Sequence, residues 1–395
     1  MPRFVWQQTT SRHAGVLHPG QQAPATGPAG VILGRDLSAA GAPFVWDLFD
    51  SHTAGVVPVP NLLICGAGGH GKSAVAKLWL HRAGILHGDH RLVCVIDPKG
   101  EWAPLATRLG WHTLTPGVDT RINPLGEHPG LLPTLVAIAA GRDLDVTEHR
   151  TLTHLAAAVS GTGHATLDML RRRFVNPTVR DAAGLDTTPA ELRDRTRPLC
   201  DALARLTTGT AAGLFAAATT DPVDWDTTPG VVIDVSGLLT DPFTRRLALA
   251  MVTTWLHHTL TTRTRRPRCV VVDEAWLLLA DTHTADWLHA TWRLGRQFGI
   301  GNILITHALA DLATHHPGVT TALLHTTPTR VFLHQNTDRA HELADTAGLT
   351  AADTALLHHL PPGHALWQYG GRTRHVHHLA HPDETHLIDT NTAFR

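Results

Sequence analysis

The chain has 395 residues, enough for two or more domain-sized units or for one large α/β domain with an insertion. Its formal charge of −1 gives no bulk electrostatic attraction to nucleic acid or to an anionic membrane. No stretch reaches the roughly 18 apolar residues of a membrane span, and no signal-peptide core follows Met1, so the expectation is a cytoplasmic protein with no integral membrane segment. The four cysteines (Cys65, Cys94, Cys200, Cys269) lack C-x-x-C spacing, and three fall in apolar runs, so they read as small core hydrophobes in a reducing compartment.

Residues 1–30, rich in Pro and Gly, predict a flexible lead-in, followed by short extended pieces at Val31–Leu33 and Phe44–Phe49. Leu62-Leu63-Ile64-Cys65 predicts a buried strand, Ser73 to Leu80 a helix, and Leu92 to Asp97 a second strand that ends in an acid. Residues 128–228 change character, with helical spacing in Leu152-Leu155-Val159 and Leu199-Leu203-Leu206, and predict an all-α inserted subdomain. Beyond it, apolar runs at 231–235, 269–273, 302–306 and 330–333 alternate with helical stretches, as in a largely parallel sheet covered by helices. A hairpin is expected around Gly370-Gly371. The resulting division is an α/β core in two parts, 31–127 and 229–380, interrupted by the insertion and followed by a tail at 381–395.

Gly66-Ala67-Gly68-Gly69-His70-Gly71-Lys72-Ser73 fits G-x-x-x-x-G-K-[ST], the phosphate loop of P-loop NTPases, and stands between a strand and a helix as its chemistry requires. Glycines let the backbone wrap a triphosphate, so that N–H groups running into the helix at Ala74 face it. Lys72 is expected on the β- and γ-phosphates of ATP, and the Ser73 hydroxyl on Mg²⁺. Lys72, Lys77 and Lys99 are the only lysines among 33 basic residues. In a chain that writes Arg wherever Arg will do, a lysine at position 72 marks a place that a flat guanidinium cannot fill. Cys269 to Asp273-Glu274 is an apolar strand ending in two acids, the Walker B pattern. Asp273 is expected at the Mg²⁺, with Glu274 as the base that polarises the attacking water.

Three further segments carry a resemblance. Asp97-Pro98-Lys99-Gly100-Glu101-Trp102 resembles the signature of the HerA/FtsK superfamily of hexameric motor ATPases. Arg121-Ile122-Asn123-Pro124-Leu125, and Leu206 to Phe215 with Gly209 and Gly213, are similar to segments of its conjugative branch, the VirB/TraC-type ATPases of type IV secretion. The resemblance covers about residues 31 to 378 and implies a RecA/ASCE-like P-loop fold and a homo-oligomeric, hexameric ring. It also implies an arginine finger acting on a neighbour's nucleotide. Arg296, eleven positions before His307, matches the finger, with Arg293 in reserve; His307 stands where the family carries a glutamine that senses the γ-phosphate. Lys99 and Glu101 are placed by the resemblance near the nucleotide or the subunit boundary.

The implied activity is an ATP-hydrolysing motor for conjugative DNA or protein transfer, working with the components of a type IV secretion channel. Such a motor is cytoplasmic and peripheral to the inner face of the cell membrane, with DNA as a candidate partner. Two alternatives stand beside it: a soluble HerA-like DNA translocase or helicase, and an ATP-binding switch that hydrolyses negligibly. The basic runs Arg171-Arg172-Arg173 and Arg263 to Arg268 could touch phosphates but read equally as solvated faces. The 30 histidines include a cluster at His375-Val376-His377-His378, which no carboxylate or cysteine completes, so no metal is expected there.

Overall fold

A computed structural model describes residues 25–27, 29–126, 130–160, 165–215, 217–220, 223–262, 266–309 and 317–389. Most of the expected lead-in, Arg263 and Arg265 of the second basic run, and the end of the tail lie outside these residues. In chain order the strands are β1 (Val31–Asp36), β2 (Ala42–Trp46), β3 (Asn61–Cys65), β4 (Leu92–Asp97), β5 (His112–Leu114), β6 (Gly230–Asp234), β7 (Arg268–Val272), β8 (Ile300–Thr306), β9 (Thr329–Phe332), β10 (His364–Tyr369) and β11 (Arg372–His378). The chain divides into two compact units, one running to Leu86 and resuming at Thr327, the other spanning His87–Thr326.

In the first unit the strands lie in the order β2-β1-β11-β10-β9-β3. All neighbours are antiparallel except β3 and β9, which run parallel with Cys65 beside Phe332. Every residue of β3 is buried, which explains why its sequence is a continuous apolar run without alternation. The β10–β11 hairpin turns through Gly370 and Gly371, at φ +56° and +72°, a conformation that costs glycine nothing. An aromatic core of Phe44, Trp46, Trp79 and Trp367, with ring centroids 5.0 to 5.5 Å apart in successive pairs, anchors the helix Lys72–His87 and the strands around it. Residues 381–389, expected only as a tail, form short helical turns. Buried Glu384 accepts from Arg82 at 2.6 and 2.9 Å and stands 3.0 Å from His81 Nδ1.

In the second unit the order is β8-β7-β4-β6-β5, parallel throughout. The central strands β4 and β7 are buried at every position, as β-branched runs under helices should be. Seven helices lie among the described residues from Leu131 to Phe215, and their leucine faces (Leu135, Leu152, Leu155, Leu170, Leu199, Leu203) are fully buried. This helical stretch belongs to the same compact unit as β4 to β8. Asn123 explains its own signature there. Its side-chain amide donates to the Ala165 carbonyl at 2.6 Å, its Oδ1 accepts from the Leu125 N–H at 3.0 Å, and its backbone N–H reaches Thr219 at 3.0 Å. Gly213 packs closely, since a Cβ there would stand 3.2 Å from the Gly117 carbonyl oxygen.

The basic runs are largely spent within the fold. Arg171 and Arg172 both pair with Asp168, and Arg173 pairs with buried Asp181. Arg266 donates to the carbonyls of Asp89, Trp225 and Thr228, and Arg268 to that of Phe298. The four cysteines are free thiols, with Cys65, Cys94 and Cys269 buried in strands, and burial pushes the Cys94 thiol up to about 12.

Candidate functional site

In the first unit, β3 ends at Cys65 and the chain turns through the phosphate loop into the helix that starts at Lys72. The loop is braced from β9: Leu333 N–H donates to the Cys65 carbonyl at 2.9 Å, and Ala67 N–H to the His334 carbonyl at 2.8 Å. Gly66 must be glycine, because a Cβ there would stand 2.7 Å from Leu333 Cβ. Gly69 and Gly71 take φ +75° and +86°, the left-handed turns that curl backbone N–H groups inward. The Lys72 ammonium lies back along this loop and donates to the Ala67 carbonyl at 3.2 Å. A cation turned onto a backbone oxygen of a glycine-rich cradle is the arrangement that a polyphosphate would replace. Lys72 and Ser73 are buried, and His70 donates from Nδ1 to the Gly68 carbonyl at 2.9 Å. The residues therefore fit a nucleotide phosphate chain with its divalent cation.

In the second unit, β7 delivers Asp273 and Glu274, both buried, at its C-terminal end. Asp273 Oδ1 accepts the backbone N–H of Glu274 at 3.0 Å, while Oδ2 accepts the indole N–H of fully buried Trp102 at 3.0 Å. Glu274 sits at φ +50°, a left-handed conformation that a non-glycine residue adopts at a cost of roughly 1 kcal/mol or more. Three groups hold its carboxylate. The Lys99 ammonium pairs with Oε1, Trp276 Nε1–H donates to Oε2 at 2.7 Å, and His307 Nε2 stands 3.1 Å from the same oxygen. Burial alone would push this carboxyl up, but His307, Lys99 and Trp276 outweigh it and hold it down at about 2. Glu274 is therefore an anion throughout the physiological range.

Asp97 builds the segment that carries Lys99. Its Oδ1 accepts the N–H groups of Lys99 and Gly100 at 3.0 and 2.9 Å, and its Oδ2 that of Trp102 at 2.9 Å. This turn, closed by Gly100 at φ +70°, aims Lys99 at Glu274 and Trp102 at Asp273. Burial, with the nearby charges of Asp273 and Asp234, raises the Asp97 carboxyl despite the donated N–H groups. Lys99 loses some basicity to burial but gains more from Glu274, Asp273 and Glu101, so its ammonium is reinforced. Arg293, in the last turn of the helix Thr282–Leu294, and Arg296, in the following 3-10 turn, are both exposed.

No protein-family model and no curated protein matches the chain. Solved structures do. VirB4 of Thermoanaerobacter pseudethanolicus superposes with a TM-score of 0.72 at 24% identity, over 92% of this chain and 99% of its own. This is a P-loop ATPase fold. The plasmid coupling protein TrwB, solved with the ATP analogue ADPNP, gives 0.61 at 16% identity over 90% of this chain and 89% of its own. TrwB in complex with ADP and Mg²⁺ gives 0.58 at 16% identity over 90% of each chain.

Within this P-loop ATPase fold, sequence reasoning found the loop and the paired acids but not the side chains that orient them. Trp276 carries no motif of its own, and Trp102 stood only as the aromatic that ends the Asp97 to Trp102 segment, with no role read for its indole. The one available signal for both was a tryptophan just after a strand-end acid, with an indole donor in reach of a carboxylate. Lys99 was expected at the nucleotide or a subunit boundary, and its partner in the structure is Glu274. His307, which stands where a glutamine was expected, also turns to Glu274. His334, which braces the loop, went unnoticed because it follows an ordinary strand.

Proposed function

We propose that the protein is a Mg²⁺-dependent ATPase, working as a homo-oligomeric, hexameric ring motor that powers conjugative DNA or protein transfer through a type IV secretion-like channel. The observation that carries this reading is Glu274. It is a buried, strained carboxylate kept ionised and oriented by Lys99, His307 and Trp276, so an acceptor oxygen stands ready to align a water. The fold shared with VirB4 and TrwB supports the transfer role.

In this reading the backbone N–H groups from Gly66 to Ala74 and the Lys72 ammonium would bind the phosphates, Ser73 and Asp273 would be ligands of Mg²⁺, and the ion would supply charge that offsets that of the transferring phosphoryl group. Glu274 orients the attacking water and takes its proton from oxygen. Lys99 and His307 position Glu274, and the exposed Arg296, with Arg293 beside it, supplies positive charge to a neighbour's nucleotide. Glu101 reinforces the Lys99 charge. Trp102 positions the Asp273 carboxylate through its indole N–H.

The test is steady-state ATP hydrolysis by the wild type beside Glu274→Gln. A loss of about 100-fold or more is expected, with nucleotide still bound, and equal rates would sink the motor reading. Stimulation by double- or single-stranded DNA then separates a DNA motor, including a HerA-like translocase, from a protein-secretion motor. The clamp on Glu274 also gives some support to an ATP-binding switch, which the same rate comparison decides.

A further inference from the structure

The phosphate loop carries a feature that its motif does not require. His70, immediately before Gly71-Lys72, stacks face to face on His334, with ring centroids 4.4 Å apart and planes 20° from parallel. Because β3 and β9 run parallel, the chain leaves both strands at the same edge, which places His334 beside the loop that follows β3. The attachment is rigid. The His334 carbonyl accepts the Ala67 N–H, and the next residue, Gln335, donates from its side chain to Cys65 Sγ at 3.4 Å. The His70 Nδ1–H is committed to the Gly68 carbonyl, so Nε2 is the nitrogen at which this ring gains a proton.

The charged surroundings of the pair are one-sided. His358 and His359, at the end of the helix Ala351–Leu357, act on His334 together with His70. His358 reaches the Gln335 carbonyl through Nδ1 at 3.3 Å and lies 5.8 Å from the His341 ring on the neighbouring helix Thr337–Ala347. Lys72, on the same loop, has its ammonium on the Ala67 carbonyl at 3.2 Å. The neighbours that lower the His334 ring after burial are His70, His358 and His359. Burial first, and then these neighbours, hold the His334 ring below its ordinary range, so it is neutral at neutral pH. A histidine stack beside a polyphosphate cradle would meet several negative charges when a triphosphate arrives.

We propose that His70 and His334 form an imidazole pair that contacts the phosphate chain of a bound nucleoside triphosphate and takes up a proton from solvent as it binds. The inference rests on the reading of residues 66–73 as a nucleotide phosphate loop. The step is a simple protonation: a solvent proton adds to one ring nitrogen, and the imidazolium so formed donates toward phosphate oxygen. Stacking lets the second ring stay neutral and share the charge. Nucleotide binding should therefore tighten as pH falls through the histidine range.

The experiment is calorimetric titration with Mg²⁺-ADPNP at pH 6.5 and 8.5, each in two buffers of different ionisation heat, so that the buffer dependence counts protons. Wild type is compared with His334→Gln, with His70→Asn and with the double variant. The ligand's own titration is common to all four proteins and cancels in the comparison. Wild type is expected to take up about one proton more per nucleotide than the double variant at pH 6.5, a difference that vanishes at pH 8.5. Its affinity gain on acidification should exceed that of the double variant by about tenfold. Inorganic tripolyphosphate should elicit the same uptake and adenosine none. Equal proton counts in wild type and variants, or uptake driven by adenosine alone, overturn the proposal while leaving nucleotide binding intact. Failure of wild type to bind ADPNP at either pH overturns the phosphate-loop reading itself, and the proposal with it. Should His334→Gln fail to fold, His70→Asn, whose side chain lies on the loop, decides between the same outcomes.

Discussion

Lys99 pairs with Glu274 across 175 positions of sequence, and the pair is closed from the other side by His307, whose Nε2 stands 3.1 Å from the second carboxylate oxygen. The Glu274 carboxylate is thus gripped by two cationic or polar heads and an indole. Its orientation is set by residues that the phosphate loop does not supply.

Removing the Lys99 head should therefore damage the rate rather than the binding. For Lys99→Met the turnover number is expected to fall by about 10- to 100-fold, with ADPNP affinity held within about twofold of wild type. Lys99→Arg should recover little, since a planar fork does not reproduce a single ammonium contact. Steady-state kinetics beside equilibrium titration makes the distinction, and a loss confined to affinity would return Lys99 to the nucleotide.

Trp102→Phe keeps the buried ring and deletes only the N–H that binds Asp273 at 3.0 Å. The orphaned carboxylate oxygen should cost about 1 to 2 kcal/mol of unfolding free energy. The Mg²⁺ concentration for half-maximal ATPase should also shift by a few-fold. Urea unfolding and a Mg²⁺ titration read the two effects separately, and an unchanged Mg²⁺ requirement would remove Asp273 from the metal.

Arg296 is exposed and extends from a 3-10 turn. If it acts on a neighbour's nucleotide, Arg296→Ala and Glu274→Gln are each inactive alone yet complement when mixed, because some boundaries then pair an intact carboxylate with an intact arginine. Recovery of ATPase on mixing is the expected result. Its absence, with assembly verified by mass measurement, would place Arg296 outside the reaction.

His378 predicts an acid limb in stability. Trp367 Nε1–H donates to its Nε2 at 2.9 Å, and its Nδ1 faces the Gly363 carbonyl at 3.1 Å, an arrangement that suits a neutral ring. Burial leads the causes that draw it down to about 4. A base whose folded value lies below its unfolded value of about 6.5 stabilises the fold fully above that pH. The contribution erodes as pH falls toward 4, by at most about 3 kcal/mol. Urea denaturation at pH 7, 5.5 and 4.5 should show a steeper decline for wild type than for His378→Gln.

Much of the fold was legible because parallel strands buried on both faces announce themselves as continuous apolar runs. β3, β4, β6 and β7 do so most plainly, and the glycines and acids of the candidate site follow the ends of β3 and β7. β5 did not, since it is three residues long with His112 and Thr113 exposed. The gaps in the candidate site have one physical origin. Motifs report residues that meet a ligand at fixed spacing along the chain, whereas Trp102, Lys99 and His307 act through partners set by sheet topology. Lys99 meets Glu274 because β4 and β7 are neighbours, which no spacing in the sequence encodes. The strain at Glu274 was equally invisible, since its residue type gives no hint of a left-handed backbone.

The scarcity of lysine has a chemical consequence. Lys72 and Lys77 expose 6% and 0% of their surface, whereas the Lys99 side chain exposes 40%. An acylating reagent that seeks side-chain amines thus meets a single accessible target on this chain, and that target is the residue gripping Glu274. Acylation of side-chain amines, unselective on most proteins of this size, would here report on one residue beside Glu274, slowed by the ion pair that keeps its ammonium protonated.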